Sequence, residues 1–192
     1  MLNNDNELQL HYTATTDKPT VLNLTNHSYF NLTSCRENIL DHHVRIYATR
    51  YAPVDEGGSI PTGEIAPLEG TPYDLHQWTV IGDRIPDRLS VFDSYYYVNG
   101  TLDNRVLAAE LYEPKSGRLL QTYTTEPGIQ FYTGGRIDNR NHRNMGAEGR
   151  LIGACFEAQH NANSPNQPNF PTTVLRPGET YRQLTIYKVN VK

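Results

Sequence analysis

Two short runs of this 192-residue chain carry the groups best placed to move protons. The first, Leu22-Asn-Leu-Thr-Asn-His-Ser-Tyr-Phe-Asn-Leu32, sets one imidazole, His27, among hydrogen-bonding side chains. Read as extended chain with period two, Asn23, Thr25, His27, Tyr29 and Asn31 share one face. Leu22, Leu24, Phe30 and Leu32 lie on the other. The second run, Leu151-Ile-Gly-Ala-Cys-Phe-Glu-Ala-Gln159, places Gly153, Cys155, Glu157 and Gln159 on one strand face. A free imidazole titrates near ~6.5, so His27 keeps a useful protonated fraction at neutral pH, and a nearby carboxylate would enlarge it. Glu157 stands between Phe156 and Ala158, an apolar setting that raises a carboxyl towards the range of a working base. Together they would supply one general acid and one general base. The residues alone also allow a plainer reading, a satisfied strand histidine and a partnered structural glutamate.

The elements that position these runs read as strands joined by Gly, Pro and Asn turns. The pattern predicts strands over 7–13, 20–25, 43–48, 94–98, 106–112, 118–124, 129–132, 151–158 and 181–189. Glu113-Pro-Lys-Ser-Gly117 is a hairpin turn signal. Thirteen tyrosines suit a sheet surface that is half packed and half wet. The stretch Arg136–Arg150 is expected to be a solvated loop. Asn161–Pro171, with three prolines and four asparagines, is expected to fold over a sheet edge. The fold class is all-β, a large antiparallel sandwich, with no linker or repeat to divide residues 1–192.

Further blocks carry a resemblance. They are Leu8 to Asp17 with Lys18-Pro19-Thr20, Tyr51-Ala-Pro-Val-Asp55, and Ile60-Pro-Thr-Gly-Glu-Ile-Ala-Pro-Leu-Glu-Gly-Thr-Pro-Tyr-Asp74. Pro127-Gly-Ile-Gln-Phe-Tyr-Thr-Gly134, Phe156-Glu-Ala-Gln159, Asn166-Gln-Pro-Asn-Phe-Pro171 and Leu175-Arg-Pro-Gly-Glu-Thr-Tyr181 follow. With the His27 run, these resemble the aldose 1-epimerase (galactose mutarotase) family, in family order over nearly the whole chain. The resemblance implies a galactose mutarotase-like β-supersandwich that interconverts sugar anomers without metal or cofactor. It implies His27 as acid, Glu157 as base, and Asp93 and Gln130 as groups that hold the hydroxyls of an aldohexose. By themselves, Gln130 could equally be a strand amide paired with backbone, and Asp93 a turn aspartate. Ser94 after Asp93, Ala162-Asn163 after the Glu157 block, and most of Arg136–Glu148 depart from the family pattern.

The resemblance is to the C-terminal half of the family's domain, so the fold is expected to be incomplete at its N-terminal side. The upstream half supplies a further His and an Arg to the sugar site in the family. Uncovered strand edges would then favour self-association. Three readings follow: a mutarotase, a non-catalytic sugar-binding or regulatory relative, and a non-functional fragment.

Composition narrows the partners. With 37% hydrophobic residues and no long apolar run, no transmembrane helix is expected. A net charge of −4 without basic clusters argues against nucleic acid. Cys35 and Cys155 are too few for a disulfide framework and suit a reducing cytoplasm. The start lacks a signal-peptide pattern, so Asn23, Asn26, Asn31 and Asn99, which match the glycosylation pattern, would not be modified. His42 and His43 lack partners at zinc-ligand spacing. His76, His142 and His160 are expected to be ordinary exposed turn or loop residues.

Overall fold

Alternation is clearest in the longest segments, and these become the longest strands of the computed structural model. It describes residues 1–58, 60–85, 91–134 and 151–192. In chain order the strands are β1 (Glu7–Ala14), β2 (Thr20–Val21), β3 (His43–Ile46), β4 (Arg50–Ala52), β5 (Ala66–Pro67), β6 (Thr79–Val80) and β7 (Asp93–Tyr97). They continue as β8 (Val106–Glu113), β9 (Arg118–Thr124), β10 (Gly128–Tyr132), β11 (Cys155–Gln159), β12 (Val174–Leu175) and β13 (Tyr181–Val191). One helical turn, Ile81–Arg84, and one 3-10 turn, Ser164–Asn166, interrupt them. No described helix is long and apolar enough to cross a membrane.

All described strand pairs are antiparallel. A six-stranded sheet runs β1-β13-β9-β8-β3-β6, a five-stranded sheet β11-β10-β7-β4-β5, and β12 pairs with β2. Val44, Ile46, Leu111, Leu120 and Tyr187 of the larger sheet pack with Tyr96, Ile129, Phe131, Phe156 and Ala158 of the smaller in one buried cluster. Phe131 stands between Phe92 and Phe156, with ring centroids 5.4 and 5.3 Å away. Each such ring contributes on the order of 1.5–3 kcal/mol by burial. The sandwich therefore has one dry layer, and the other face of the five-stranded sheet lies outside it.

The β8–β9 hairpin turns where its sequence signals. The Glu113 carboxylate accepts the Lys115 and Ser116 N–H groups at 2.8 Å each, and Gly117 takes φ +71°. Strand 118–124 has the expected bounds, and most others shift by one or two residues. The expected strand 20–25 shortens to Thr20–Val21. The expected loop Arg136–Arg150, with His142, lies outside the described residues.

The outer edge of β1 is covered over its first residues. Leu2 pairs opposite Leu8, Gln9 N–H reaches the Met1 carbonyl at 2.7 Å, and Asn3 N–H reaches Glu7 at 3.1 Å. Residues 1–3 thus lie along the outer edge of β1 and occupy part of its backbone ladder.

Candidate active site

The register of β7, β10 and β11 arranges the free sheet face in rows. Asp93, Tyr132 and Cys155 form one row, Tyr95, Gln130 and Glu157 the next, and Tyr97, Gly128 and Gln159 the third. The third row is closed. A β-carbon on Gly128 would lie 2.3 Å from the Tyr95 ring, so only glycine lets that ring lie flat there. Tyr95 donates its hydroxyl to the Gln159 carbonyl at 2.9 Å. The 161–171 segment lies over the same end: Phe170 packs on Ala52, Tyr95 and Tyr97, and Asn161 donates to the Tyr97 hydroxyl at 2.8 Å. Asp93, Gln130 and Tyr132 remain at the open end, with Gln130 Nε2 donating to Asp93 Oδ1 at 2.6 Å.

The His27 run lies beside β11, on the side away from β10. Residues 22–29 form no backbone ladder. Side chains make the bonds instead. Asn23 donates to the His160 carbonyl at 2.9 Å and accepts the His160 N–H at 3.0 Å. Thr25 Oγ1 donates to the Ala158 carbonyl at 3.0 Å, and Asn31 Nδ2 to the Ile152 carbonyl at 2.8 Å. Phe30 and Ala154 exchange both backbone bonds, at 2.8 and 2.9 Å. Gly153 lies so close that a β-carbon there would be 2.9 Å from Tyr29 Cβ. Three of the five residues on the expected polar face therefore bind the edge of β11. Their amides and hydroxyl substitute for the ladder, which is why a strand expected there is absent.

His27 is delivered over the open rows by this attachment. Its Nε2 lies 3.2 Å from Glu157 Oε1. Its ring stacks on Tyr29 at 4.9 Å and meets the edge of Tyr132 at 6.0 Å. Glu157 is held from behind. The carbonyls on either side of it, Phe156 and Ala158, accept the Tyr187 hydroxyl and Gln183 Nε2 at 2.8 Å each. Tyr181 donates to Gln183 Oε1 at 2.7 Å and takes a backbone bond from Leu24. Leu24, Thr25, Ala158, Gln183 and Tyr181 thus close a ring of contacts linking the His27 segment to the Glu157 strand.

Burial raises the Glu157 carboxyl above its ordinary value, the His27 imidazole opposes this, and the Asp93 charge adds to it. The direction is the one read from the sequence, but the cause differs. Phe156 and Ala158 point through the sheet into the core, and Glu157 is covered rather than flanked. Cys155 lies beneath the pair, fully buried, and burial pushes its thiol up. The ligand atoms of His27, Cys155 and Glu157 all lie within 4.8 Å of one another, making this the place among the described residues where a metal ion could be held.

The structure therefore brings His27, Glu157, Asp93 and Gln130 to one open face. Tyr29, Tyr132 and Cys155 adjoin them; period-two counting sets Tyr29 on the His27 face and Cys155 on the Glu157 face without assigning either to the site, and the same counting from Gln130 reaches Tyr132. His160 is not the exposed loop residue expected. Its Nδ1 lies 2.7 Å from Glu126 Oε2, with side-chain exposures of 22% and 3%. His42 is fully buried and accepts the Leu32 N–H on Nε2 at 3.0 Å.

Comparison with known proteins gives a consistent picture. The aldose 1-epimerase family profile matches residues 1–188. Human galactose mutarotase is 42% identical over 188 residues, covering 96% of this chain and 54% of that protein. Aldose 1-epimerase of Escherichia coli is 33% identical over 194 residues, covering 97% of this chain and 56% of that one. A solved aldose epimerase homologue of C. elegans, at 26% identity, superposes with TM-score 0.86 on 99% of this chain and 57% of its own. The chain spans about half the length of the curated relatives it matches. These matches correct two expectations. A resemblance to the C-terminal half only, and a fold incomplete at its N-terminal side, give way to similarity that begins at residue 1 and takes in β1 with every later described strand.

Proposed function

Since this chain belongs to the aldose 1-epimerase family, we propose that it interconverts the α and β anomers of an aldohexose such as galactose or glucose. Glu157 takes the proton of the C1 hydroxyl while His27 protonates the ring oxygen. The C1–ring oxygen bond breaks, the open-chain aldehyde rotates about C1–C2, and closure on the other face gives the second anomer. One observation carries the reading. Both reacting oxygens are bonded to C1, so acid and base must stand side by side, and His27 Nε2 and Glu157 Oε1 are 3.2 Å apart. The raised carboxyl of Glu157 supports the base, because a base near the working pH takes and returns a proton readily.

Asp93 and Gln130 hold the ring. Already bonded to each other at 2.6 Å, they present an acceptor and an amide to adjacent hydroxyls, and neither has to titrate. The Tyr29 and Tyr132 rings bound the same space and keep the imidazole upright. We place the activity in the cytoplasm, where the free thiols of Cys35 and Cys155 stay reduced. Any self-association would use outer strands such as β5, β6 or the uncovered part of β1, since β11 has the His27 run along its outer side.

Polarimetry of freshly dissolved α-galactose tests the proposal. The expected outcome is relaxation faster than buffer alone, in proportion to protein. Sugar binding, seen by calorimetry, without faster relaxation would replace the enzyme with a sugar-binding protein.

A further inference from the structure

The donor set beneath the open face is nitrogen, sulfur and oxygen, and three elements of geometry make it more than a coincidence. His27 arrives on the extended segment beside β11, while Cys155 and Glu157 are alternate residues of β11 and so project from one face. A tetrahedral zinc ion bonds nitrogen and oxygen at roughly 2.0–2.2 Å and thiolate at about 2.3 Å, which places its ligand atoms about 3.4–3.7 Å apart. His27 Nε2 and Glu157 Oε1 already stand at 3.2 Å, and no donor of the three is farther than 4.8 Å from another. Closing the set therefore takes about 1 Å of movement. His27 is the most open of the three, with a side chain 48% exposed.

We propose that His27, Cys155 and Glu157 form a binding site for a thiophilic divalent cation, zinc being the best fit, and that its occupation shuts down the acid–base pair. Three protein ligands with a fourth position left to water is the arrangement of open zinc sites. A thiolate in the set selects against magnesium and calcium, which prefer oxygen. The Cys155 thiol gives its proton to solvent as the sulfur–metal bond forms, and no electron changes hands. The ion then occupies the Glu157 oxygen and the His27 lone pair, the two positions through which protons would pass. The metal is an inhibitor here, not a cofactor. Its inhibitory effect rests on the mutarotase reading, whereas its binding does not.

Cobalt(II) is the probe, added to the intact chain without sugar, because cobalt bound to thiolate absorbs in the near ultraviolet. The expected result is a thiolate-to-cobalt band that zinc bleaches and magnesium leaves alone. Cys155→Ser should lose the band, and His27→Asn should weaken cobalt binding by at least about tenfold, the scale of disturbed metal sites. Circular dichroism checks that each variant is folded, and Cys155→Ala replaces Cys155→Ser if that fails. In polarimetry, zinc should slow anomer exchange and EDTA should restore it, and the activity left in the cysteine variant should resist zinc. A folded wild-type chain without the band, or zinc inhibition unchanged in both cysteine variants, overturns the site. A chain with the band but no anomer exchange keeps the metal site and removes the mutarotase reading; an active chain without the band does the reverse.

Discussion

Two histidine–glutamate pairs stand among the described residues, and their surroundings set them apart. His160 and Glu126 are the closer pair, 2.7 Å against 3.2 Å for His27 and Glu157. Glu126 is 3% exposed and sits near the buried hydroxyls of Tyr95 and Tyr181, while the His160 backbone is clasped by Asn23. The His27 pair is looser, half open, and faces Asp93 and Gln130. A short ion pair is thus the weaker pointer to chemistry. On the proposed reading, what marks the His27 pair is an exposed imidazole over a covered carboxylate, with further hydrogen-bonding groups facing the same space.

Exchanging the glutamates breaks the comparison most sharply. Glu157→Gln keeps the shape and loses the proton acceptor, so the anomer-exchange rate should fall by about 10²–10⁴-fold while sugar binding persists. Glu126→Gln should leave the rate per folded molecule nearly unchanged and lower stability by about 3 kcal/mol, the cost of breaking a buried pair. Polarimetry and urea unfolding on the two variants read both effects. Equal rate losses would remove the distinction.

A third histidine sharpens it. His42 is fully buried, and burial holds it down to about 4, against the pull of the Glu113, Asp41 and Glu37 carboxylates. Its folded value lies below its unfolded value near 6.5, so its contribution is complete above that pH. As the pH falls from 6.5 towards 4 the unfolded chain gains a proton that the folded chain refuses. About 3 kcal/mol of stability should be lost across that window. His42→Gln, which can still accept the Leu32 N–H, should flatten the fall. Denaturation midpoints that lose as much in the variant as in the parent would show that other groups govern it.

Asp93 should behave as a binding group. Asp93→Ala removes a charged hydrogen-bond partner worth roughly 1.5–3 kcal/mol, so KM should rise by about tenfold or more with kcat less affected. A fall confined to kcat would place Asp93 with the acid–base pair instead.

How far these roles could be read from sequence depended on the kind of bond involved. Strands such as β8, β9 and β13 run over seven or more residues and are read easily, as is the turn fixed by Glu113 and Gly117. β4, β5, β6 and β12 have two or three residues, too few to show a period. The polar face of the His27 run was visible, but not what it touches. Asn23 and Asn31 read in sequence only as members of a polar face, and they become edge contacts because β11 has no ladder partner on that side. The Glu126–His160 pair joins residues 34 positions apart with no local pattern, so only the folded chain reveals it.

Thr25 offers the finest test, because it lies two residues from His27 and bonds the carbonyl next to Glu157. Its hydroxyl and Gln183 Nε2 share the Ala158 carbonyl, so Gln183 still satisfies that oxygen when Thr25 is replaced. Thr25→Val keeps the volume and branching and removes one neutral hydrogen bond, worth about 0.5–1.5 kcal/mol. If that bond sets the spacing of His27 and Glu157, kcat should fall by about two- to tenfold with KM little changed. Thr25→Ser retains the donor and should recover most of the rate. A structural role alone would move the melting temperature of the valine variant and leave kcat per folded molecule intact. Finding that, the two ends of the polar run would have to be credited with holding His27, through Asn23 on His160 and Asn31 on Ile152.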